Sequence, residues 1–463
     1  MVAGASGFVG HALITRLAQE FDVVALSRAT PSNTGEREGI RWRRCDLFSL
    51  GETREALAGT DVAVYLVHSM MPSARLTQGS FTDIDLVLAD NFARAAESAG
   101  LQRIVYLGGL TPSGEPLSAH LASRLEVERT LASRGVPVTA VRAGLVVGAG
   151  GSSFQILVRL VRRLPLMLCP RWTRTLTQPV ALGDVVEVLA RAVGDPRAGG
   201  AVLEVGGPDV LSYRDMMQRT AAMLGKRTRA WSVPFFTPGL SRLWVSLVTQ
   251  TPRALVAPLI QSLRHPMVAS RDDLGASLGR PGLGFEEAVR RALADEAAMP
   301  ATKRETQLVD LARERRGLRA ARTVRSIQRL PLPPGRDAAW VAREYAAWLP
   351  RFLWPVVRVD VDDTGSCRFG LRPFRRALLH LRFEPERSVP DRQLFAIDAG
   401  LLVDRRGNAG PGRLEFREVL DRRFVLAAIH DYRPALPWPV YAATQALLHL
   451  WVMRRFARHL ARS

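Results

Sequence analysis

Apolar positions change their rhythm twice along the chain. Through about residue 150, short apolar runs of strand length alternate with stretches in which apolar side chains recur every three or four positions. The runs are Val23 to Leu26, Ile40 to Arg44, Val62 to Val67, Ile104 to Leu107 and Val138 to Arg142, with a stub at Met1 to Ala3. Between them, Val9, Leu13 and Leu17 share one helical face, and helices are expected from about Asp83 to Ala99 and from about Ala122 to Ser133. Strand signals alternating with helices predict a doubly wound, parallel α/β sheet. The opening stub is shorter than the usual strand of about five or six residues, so the first strand is expected to lack its beginning.

Farther on, Phe154 to Leu168 sets Phe154, Leu157, Leu160, Val161 and Leu164 on one helical face, with Arg159, Arg162 and Arg163 off it. Such a basic amphipathic helix packs over a cleft more readily than it lies on a bilayer. Together with the apolar stretch Ala254 to Leu263 it suggests a lid over an apolar substrate rather than a sugar. From Asp295 to Arg322 the composition turns to Ala, Arg and Glu with no clear apolar face, and Pro331 to Gly335 marks a break.

Beyond that break the period falls to two. After a helix at Ala338 to Trp348 come strand runs at Val356 to Val361, Arg368 to Leu371, Leu378 to Phe383, Leu394 to Val403, Leu414 to Leu420 and Phe424 to His430. Asp404 to Asn408 and Asp421 to Arg423 are expected to be hairpin turns, and a helix from Pro439 to Leu460 closes the chain. Its apolar portion, Val440 to Met453, falls short of the about twenty residues needed to span a bilayer and is interrupted by Gln445 and His449. A core-packed helix is expected, with peripheral membrane contact as the lesser alternative. The domains are therefore 1–296, with a substrate subdomain built mainly from about 149 onward, a linker at 297–322, and an α+β domain at 323–463.

The chemistry begins in the first ten residues. Gly4-Ala5-Ser6-Gly7-Phe8-Val9-Gly10 spaces three glycines by three between strand stub and helix. The first glycine permits the tight turn, the second lets backbone approach a pyrophosphate, and the third lets helix and strand pack closely. Free N–H groups at the helix start then face the phosphate. Gly4, Ser6, Gly7, Phe8, Val9 and Gly10 are the expected cofactor contacts, supported by the β-α-β order around them.

At the end of the second strand, where an NAD-specific fold places an acid on the ribose, stand Ser27 and Arg28, and no acid follows until Glu36. Arg28 can accommodate a 2′-phosphate, so NADP(H) is expected over NAD(H). Ligands of open α/β sheets sit at the carboxyl ends of strands, which places Asp46-Leu47 near the adenine and Val67, His68 and Ser69 near the phosphates or ribose.

These residues resemble the short-chain dehydrogenase/reductase superfamily in its atypical NAD(P)-binding branch, close to NmrA-like, epimerase-like and isoflavone-reductase-like members. The resemblance covers about residues 1–296 and rests on Gly4 to Gly10, Asp46-Leu47, the strand end from Arg142 to Gly148, Gln178 to Val185, and Glu204 to Pro208. It implies that the loop after Arg142, including Gly144, lies beside the nicotinamide. Standard members use a Ser and a Tyr four residues before a Lys. Here Gly108 and Gly109 stand at the serine position, the first lysine is Lys226, and the Tyr–Lys slot falls on His120 and Arg124. Arg124 would hold a ribose hydroxyl or phosphate but relays no proton, whereas His120 titrates near neutrality and could protonate a carbonyl oxygen. His120 is the catalytic candidate, and His68 is a second.

The order of elements beyond residue 323, with Gly412 to Val419 and Arg433 to Trp438, resembles the START, polyketide-cyclase and lipid-binding superfamily. More closely, it resembles the domain of unknown function fused after atypical reductase domains in bacterial proteins. That likeness implies a helix-grip fold with an apolar cavity for a hydrophobic or lipid-like ligand.

Composition changes this picture little. The 463 residues carry a formal charge of +20, unevenly: +6 through residue 300 and +14 beyond it. All basic residues but Lys226 and Lys303 are arginine, and no nucleic-acid motif accompanies them, so solvated surface is the reading and nucleic acid is not an expected partner. Cys45, Cys169 and Cys367 lie far apart and match no metal-ligand spacing. No metal is expected, and a reducing cytoplasm is the expected compartment, with peripheral contact at the inner membrane surface as a minority reading.

Overall fold

The computed structural model describes residues 1–28, 39–69, 74–112, 116–163, 166–226, 229–233, 261–298, 322–372, 376–404 and 410–463. The chain forms two compact units, Met1–Met71 with Leu88–Thr306, and Pro72–Val87 with Gln307–Ser463. Most of the expected linker, Glu36, the 254–260 part of the expected lid and the turn at 405–408 lie outside the described residues.

In chain order the strands of the first half that enter the two large sheets are β1 (Val2–Ala3), β2 (Val23–Ser27), β3 (Ile40–Arg44), β4 (Val62–Tyr65), β5 (Leu76–Gln78), β6 (Arg103–Gly109), β7 (Val138–Ala143) and β8 (Val202–Val205). All but β5 form one seven-stranded sheet in the order β8-β7-β6-β4-β1-β2-β3, parallel throughout. Sheets of this kind are buried on both faces. On one face Leu13 and Leu17 of the Phe8–Leu17 helix and Val185 and Leu189 of the Leu182–Gly194 helix meet Val64, Val105 and Val141. Elsewhere in this unit, Tyr65 meets Phe92 at 5.0 Å between ring centroids and Tyr106 at 6.3 Å. The order runs outward in both directions from β1 and β4, so the topological switch point lies between them.

The doubly wound Rossmann-like sheet is thus as the sequence predicts, with two differences. β4 ends at Tyr65 rather than Val67, and the Glu204-Val205 stretch belongs to a seventh strand paired with β7. The Phe154 face of the Ser152–Arg163 helix is buried with Val147, Met216, Met217 and Phe285, so its apolar side is committed to the unit's own core.

The second unit contains β9 (Val324–Pro331), β10 (Val357–Val361), β11 (Cys367–Leu371), β12 (Ala377–Phe383), β13 (Arg392–Ala399), β14 (Gly412–Val419) and β15 (Phe424–Tyr432). With β5 they make an eight-stranded sheet in the order β10-β11-β12-β13-β14-β15-β9-β5, antiparallel except for β5 on β9. One face carries Ile397, Leu414, Phe416 and Val425 against Val341 and Leu349 of the Ala338–Phe352 helix and Val452 and Phe456 of the Gln445–Leu460 helix. Strand alternation puts Glu415 and Arg417 on the opposite face. There Glu415 accepts from Arg392 Nε at 2.8 Å and Arg417 Nη2 at 2.8 Å, and lies 2.9 Å from His430 Nε2. Glu415, Arg417 and His430 are all buried.

Three sequence expectations are corrected here. β9 occupies a stretch to which the sequence assigned no element and takes in Pro331 of the expected break, and the strand expected from Leu394 to Val403 runs from Arg392 to Ala399. The closing helix is two helices, Trp438–Ala443 and Gln445–Leu460, interrupted at Thr444, whose φ of −123° and ψ of −80° leave the helical region. The turn at Asp421 to Arg423 does connect β14 to β15, through left-handed Leu420, Asp421 and Arg422. Among the described residues no helix is long and apolar enough to cross a membrane.

His449 shares the helical stripe of Ala446, Met453, Phe456 and Leu460, and burial pushes its imidazole down to about 4. Its folded value thus lies below its unfolded one. As pH falls from about 6.5 toward 4, the unfolded chain takes up a proton that the folded chain refuses, and stability drops by at most about 1.4 kcal/mol per pH unit. Buried His430 is shifted in the same direction. Thermal melts across this range are expected to show the decline, and His449→Leu to flatten it.

Candidate functional site

The carboxyl ends of the parallel strands bring together most of the residues singled out above. In Gly4 a φ of +85° turns the chain out of β1, and a Cβ there would lie 3.2 Å from the Leu66 carbonyl carbon, just past the end of β4. Glycine at this position therefore lets the turn lie against the strand across the switch point. Gly7 donates to the Gly4 carbonyl at 3.0 Å and then caps the Phe8–Leu17 helix without a side-chain bond. No acid stands in that helix's first turn, and Ser6 and Gly7 are exposed. The helix start is consequently open to an anion.

Gly10 closes the motif from behind. A Cβ there would fall 2.2 Å from the Gly4 carbonyl oxygen and 2.8 Å from Ala5 Cα. Val9 packs on the core, while the Phe8 ring reaches the loop after β7, where Cβ atoms at Gly148 and Gly151 would lie 3.0 and 2.9 Å from its Cζ. Sequence reasoning missed this packing of Phe8 on two glycines. The spacing of Gly148 and Gly151 was its only trace.

Arg28 is exposed immediately past β2, and Asp46 follows the neighbouring strand β3. The Asp46 carboxylate accepts from Phe48 N at 3.2 Å and so shapes its own turn. Leu47 is buried, and its carbonyl accepts from Asn91 Nδ2 at 2.8 Å. That places the Asp46 turn, rather than the Leu47 side chain, on the side open to a ligand.

Past β4, Val67 and Ser69 are half-buried and His68 is exposed. The His68 ring lies 5.2 Å from that of His120. His120 belongs to the first turn of a helix, Ala119–Ala132, not to a loop as its sequence setting suggested. Ser118 caps that helix by accepting from Leu121 N at 3.3 Å, a signal present in the sequence. Arg124 stands one turn on, on the same face, and its carbonyl accepts from Tyr106 Oη at 3.0 Å. Glu128, on this helix as well, holds Arg142 of β7 through bonds of 2.6 and 3.1 Å, which ties the helix to the sheet.

Gly144 stands at the end of β7, where a Cβ would fall 2.0 Å from the Gln178 carbonyl oxygen. Gln178 in turn donates to Gly207 O at 2.6 Å and accepts from Ala269 N at 2.9 Å. The glycines at 144 and 206 thus answer to close packing around Gln178, and Gly207 to the Pro179 carbonyl, beside a cavity of about 420 Å³ that reaches Ser270 and Asp272. Asp184, of the same sequence stretch, is buried and accepts from Leu283 N at 2.7 Å and Arg280 Nη2 at 2.8 Å.

The arrangement provides a helix start open to an anion, a cation past β2, and an imidazole past β4 beside a second one on the Ala119–Ala132 helix. Comparison with known proteins bears on the unit as a whole. The pattern of a family described as NAD(P)H-binding matches residues 4–158. The chain is 28% identical over 130 residues to the auxiliary protein GraX of Staphylococcus aureus, across 28% of this chain and 42% of that protein, less than half its length. It is 22% identical over 260 residues to the UDP-glucose 4-epimerase of Vibrio cholerae, across 50% and 77% respectively. Among solved structures, the NADPH-dependent quinone oxidoreductase QOR2 of Escherichia coli, complexed with NADPH, superposes with a TM-score of 0.52 at 19% identity, covering 62% of this chain and 98% of that one. The triphenylmethane reductase of Citrobacter, complexed with NADP(H), gives 0.52 at 16%, covering 63% and 99%. The N-terminal part of the chain thus has a Rossmann-like fold, and its residues 4–158 match an NAD(P)H-binding family.

Proposed function

We propose that the chain is an NADPH-dependent reductase of a hydrophobic carbonyl or quinone-like compound. The observation that carries this reading is the His68–His120 ring pair, 5.2 Å apart, beyond the strand that flanks the glycine turn. The residues fit the cofactor: glycines 4, 7 and 10 leave backbone where side chains would intrude, and the open helix start suits a pyrophosphate. When bound, the dihydronicotinamide supplies a hydride. His120 would supply the proton to the substrate oxygen, with His68 beside it to exchange protons with solvent, and Arg124 would hold a ribose hydroxyl or phosphate.

Two measurements test this. Arg28 past β2 is the group for a 2′-phosphate, so Arg28→Ala is expected to weaken NADPH about tenfold or more while leaving NADH nearly unchanged. Equal losses for both nucleotides would remove the NADP preference. With quinones and apolar carbonyls as substrates, His120→Ala is expected to lower turnover about a hundredfold with NADPH affinity retained. Unchanged turnover would remove His120 from the chemistry.

A second reading is favoured by the absence of Tyr-x-x-x-Lys before Lys226: a non-catalytic NADP(H) sensor or interaction protein. The relative named only as an auxiliary protein is compatible with it. Tight NADPH binding with no oxidation across the whole substrate panel would favour the sensor. In either case we read the second unit as START-like and as the carrier of a hydrophobic or lipid-like ligand. The order of its elements supports this, as does a cavity of about 470 Å³ where Arg75 lies 4.2 Å over the Trp438 ring, beside Val403 and Leu436. Lipid extraction and mass spectrometry of the purified protein would reveal such a ligand. Cys45, Cys169 and Cys367 are buried and in no disulfide among the described residues, which accords with a reducing, cytoplasmic setting.

A further inference from the structure

The Gln445–Leu460 helix has a second face that the core does not use. Ala446, Val452, Met453, Phe456 and Leu460 point into the core. On the other side Leu447 is 58% exposed, Leu448 54% and Trp451 41%. Helical spacing continues this outward stripe into Arg454, Arg455 and Arg458, all exposed. The stripe is therefore apolar in its first half and cationic in its second.

A neighbouring segment extends the apolar half. The Phe352 ring meets Trp451 at 4.9 Å, and two residues later Trp354 is 64% exposed, followed by exposed Val356. Each of the two exposed indoles carries an arginine: Arg372 lies 4.5 Å over Trp354, and Arg455 lies 5.8 Å over Trp451. From Arg433 to Ser463 there are five arginines and no Asp or Glu. Single exposed apolar residues are ordinary, but two exposed tryptophans and two exposed leucines on neighbouring segments, bordered by arginines in no ion pair among the described residues, are not.

From this charge complementarity we infer that the second unit docks on the surface of an anionic phospholipid bilayer. Leu447, Leu448, Trp451 and Trp354 enter the headgroup boundary, and Arg372, Arg454 and Arg455 meet the lipid phosphates. Tryptophan suits that depth because its ring is apolar and its N–H stays wet. The helix lies along the surface, since its opposite face is held by the core. The inference does not depend on the reductase reading, because every group it uses lies in the second unit.

The full chain, mixed with vesicles of phosphatidylcholine alone or of phosphatidylcholine with phosphatidylglycerol, tests it by co-sedimentation. Binding is expected only to the anionic vesicles, weakening as salt rises. Leu447→Glu with Leu448→Glu is expected to abolish it, and Arg454→Ala and Arg455→Ala to weaken it about fivefold each. All four side chains are exposed, so thermal midpoints should not change, and Trp354→Ala offers an independent site with the same expected loss. Equal binding to neutral vesicles, no binding to either, or undiminished binding by the leucine pair would overturn the proposal. So would self-association in analytical ultracentrifugation that Leu447→Glu abolishes, since a second copy would then be the occupant.

Discussion

Gly10→Ala is expected to abolish NADPH binding, even though it adds one methyl group. That methyl would sit 2.2 Å from the Gly4 carbonyl oxygen and 2.8 Å from Ala5 Cα, and both are backbone atoms. Relief by rotating a side chain is therefore unavailable. The turn itself must open, and with it the 3.0 Å bond from Gly7 N to Gly4 O that aims the helix start. Overpacking of this kind costs about 1–3 kcal/mol of stability, and the affinity loss should exceed about tenfold because the displaced atoms are those proposed to cradle the phosphate. Gly183→Ala is the control: in the Leu182–Gly194 helix a Cβ meets nothing within 4 Å, and alanine there should be neutral or stabilising by about 0.5–1 kcal/mol. Fluorescence titration with NADPH and a thermal melt on each variant decide the matter. Wild-type affinity in Gly10→Ala would mean that the turn is not the cofactor site.

The second large effect is expected far from the glycine turn in sequence. Glu415→Ala should destabilise the second unit by about 3–5 kcal/mol, because it strands Arg392 and Arg417 without their shared carboxylate. Burial by itself would raise the Glu415 pKa. Arg417, Arg392 and the bond with His430 overturn that and hold the carboxyl well below the usual range. The group thus stays ionised in the interior, and its loss leaves two guanidinium groups in a site with 1% and 6% exposure. Glu415→Gln should cost less, since the amide oxygen still accepts one of the bonds. Urea unfolding of the two variants against wild type gives the comparison, and a loss below about 1 kcal/mol for alanine would show that water or rearrangement replaces the carboxylate.

The alternation of runs and helices made the first sheet legible because parallel strands, covered on both faces, read as continuous apolar segments. β8 escaped because Val202–Val205 is short and interrupted by Glu204, whose carboxylate turns out to accept from Ser270. β9 escaped for a different reason: Arg325, Gln328 and Arg329 make Val324–Pro331 look like an arginine-rich approach to a loop. Arg325 pairs with Asp431 at 3.1 Å and Arg329 with Asp83 at 2.7 Å, partners too distant in sequence to be inferred from a local window. In the site, residues at strand ends were legible because topology fixes where strand ends go. The meeting of His68 with His120 was not, since it depends on where the Ala119–Ala132 helix begins. The break at Thr444 carries no glycine or proline to announce it.

One pairing bears on the timing of synthesis. Among the described residues β5 has a single partner strand, β9, and the bond from Gln328 Nε2 to the Gln78 carbonyl joins residues 250 positions apart. At the ribosome's pace of about 5–20 residues per second, Leu76–Gln78 emerges roughly 12–50 s before the strand it joins has been made. For that interval the nascent chain carries an unclaimed strand edge out of its first unit. A trigger-type chaperone at the exit tunnel, or slow codons placed after β5, would therefore change the yield of correctly folded protein more than either would for two domains joined end to end.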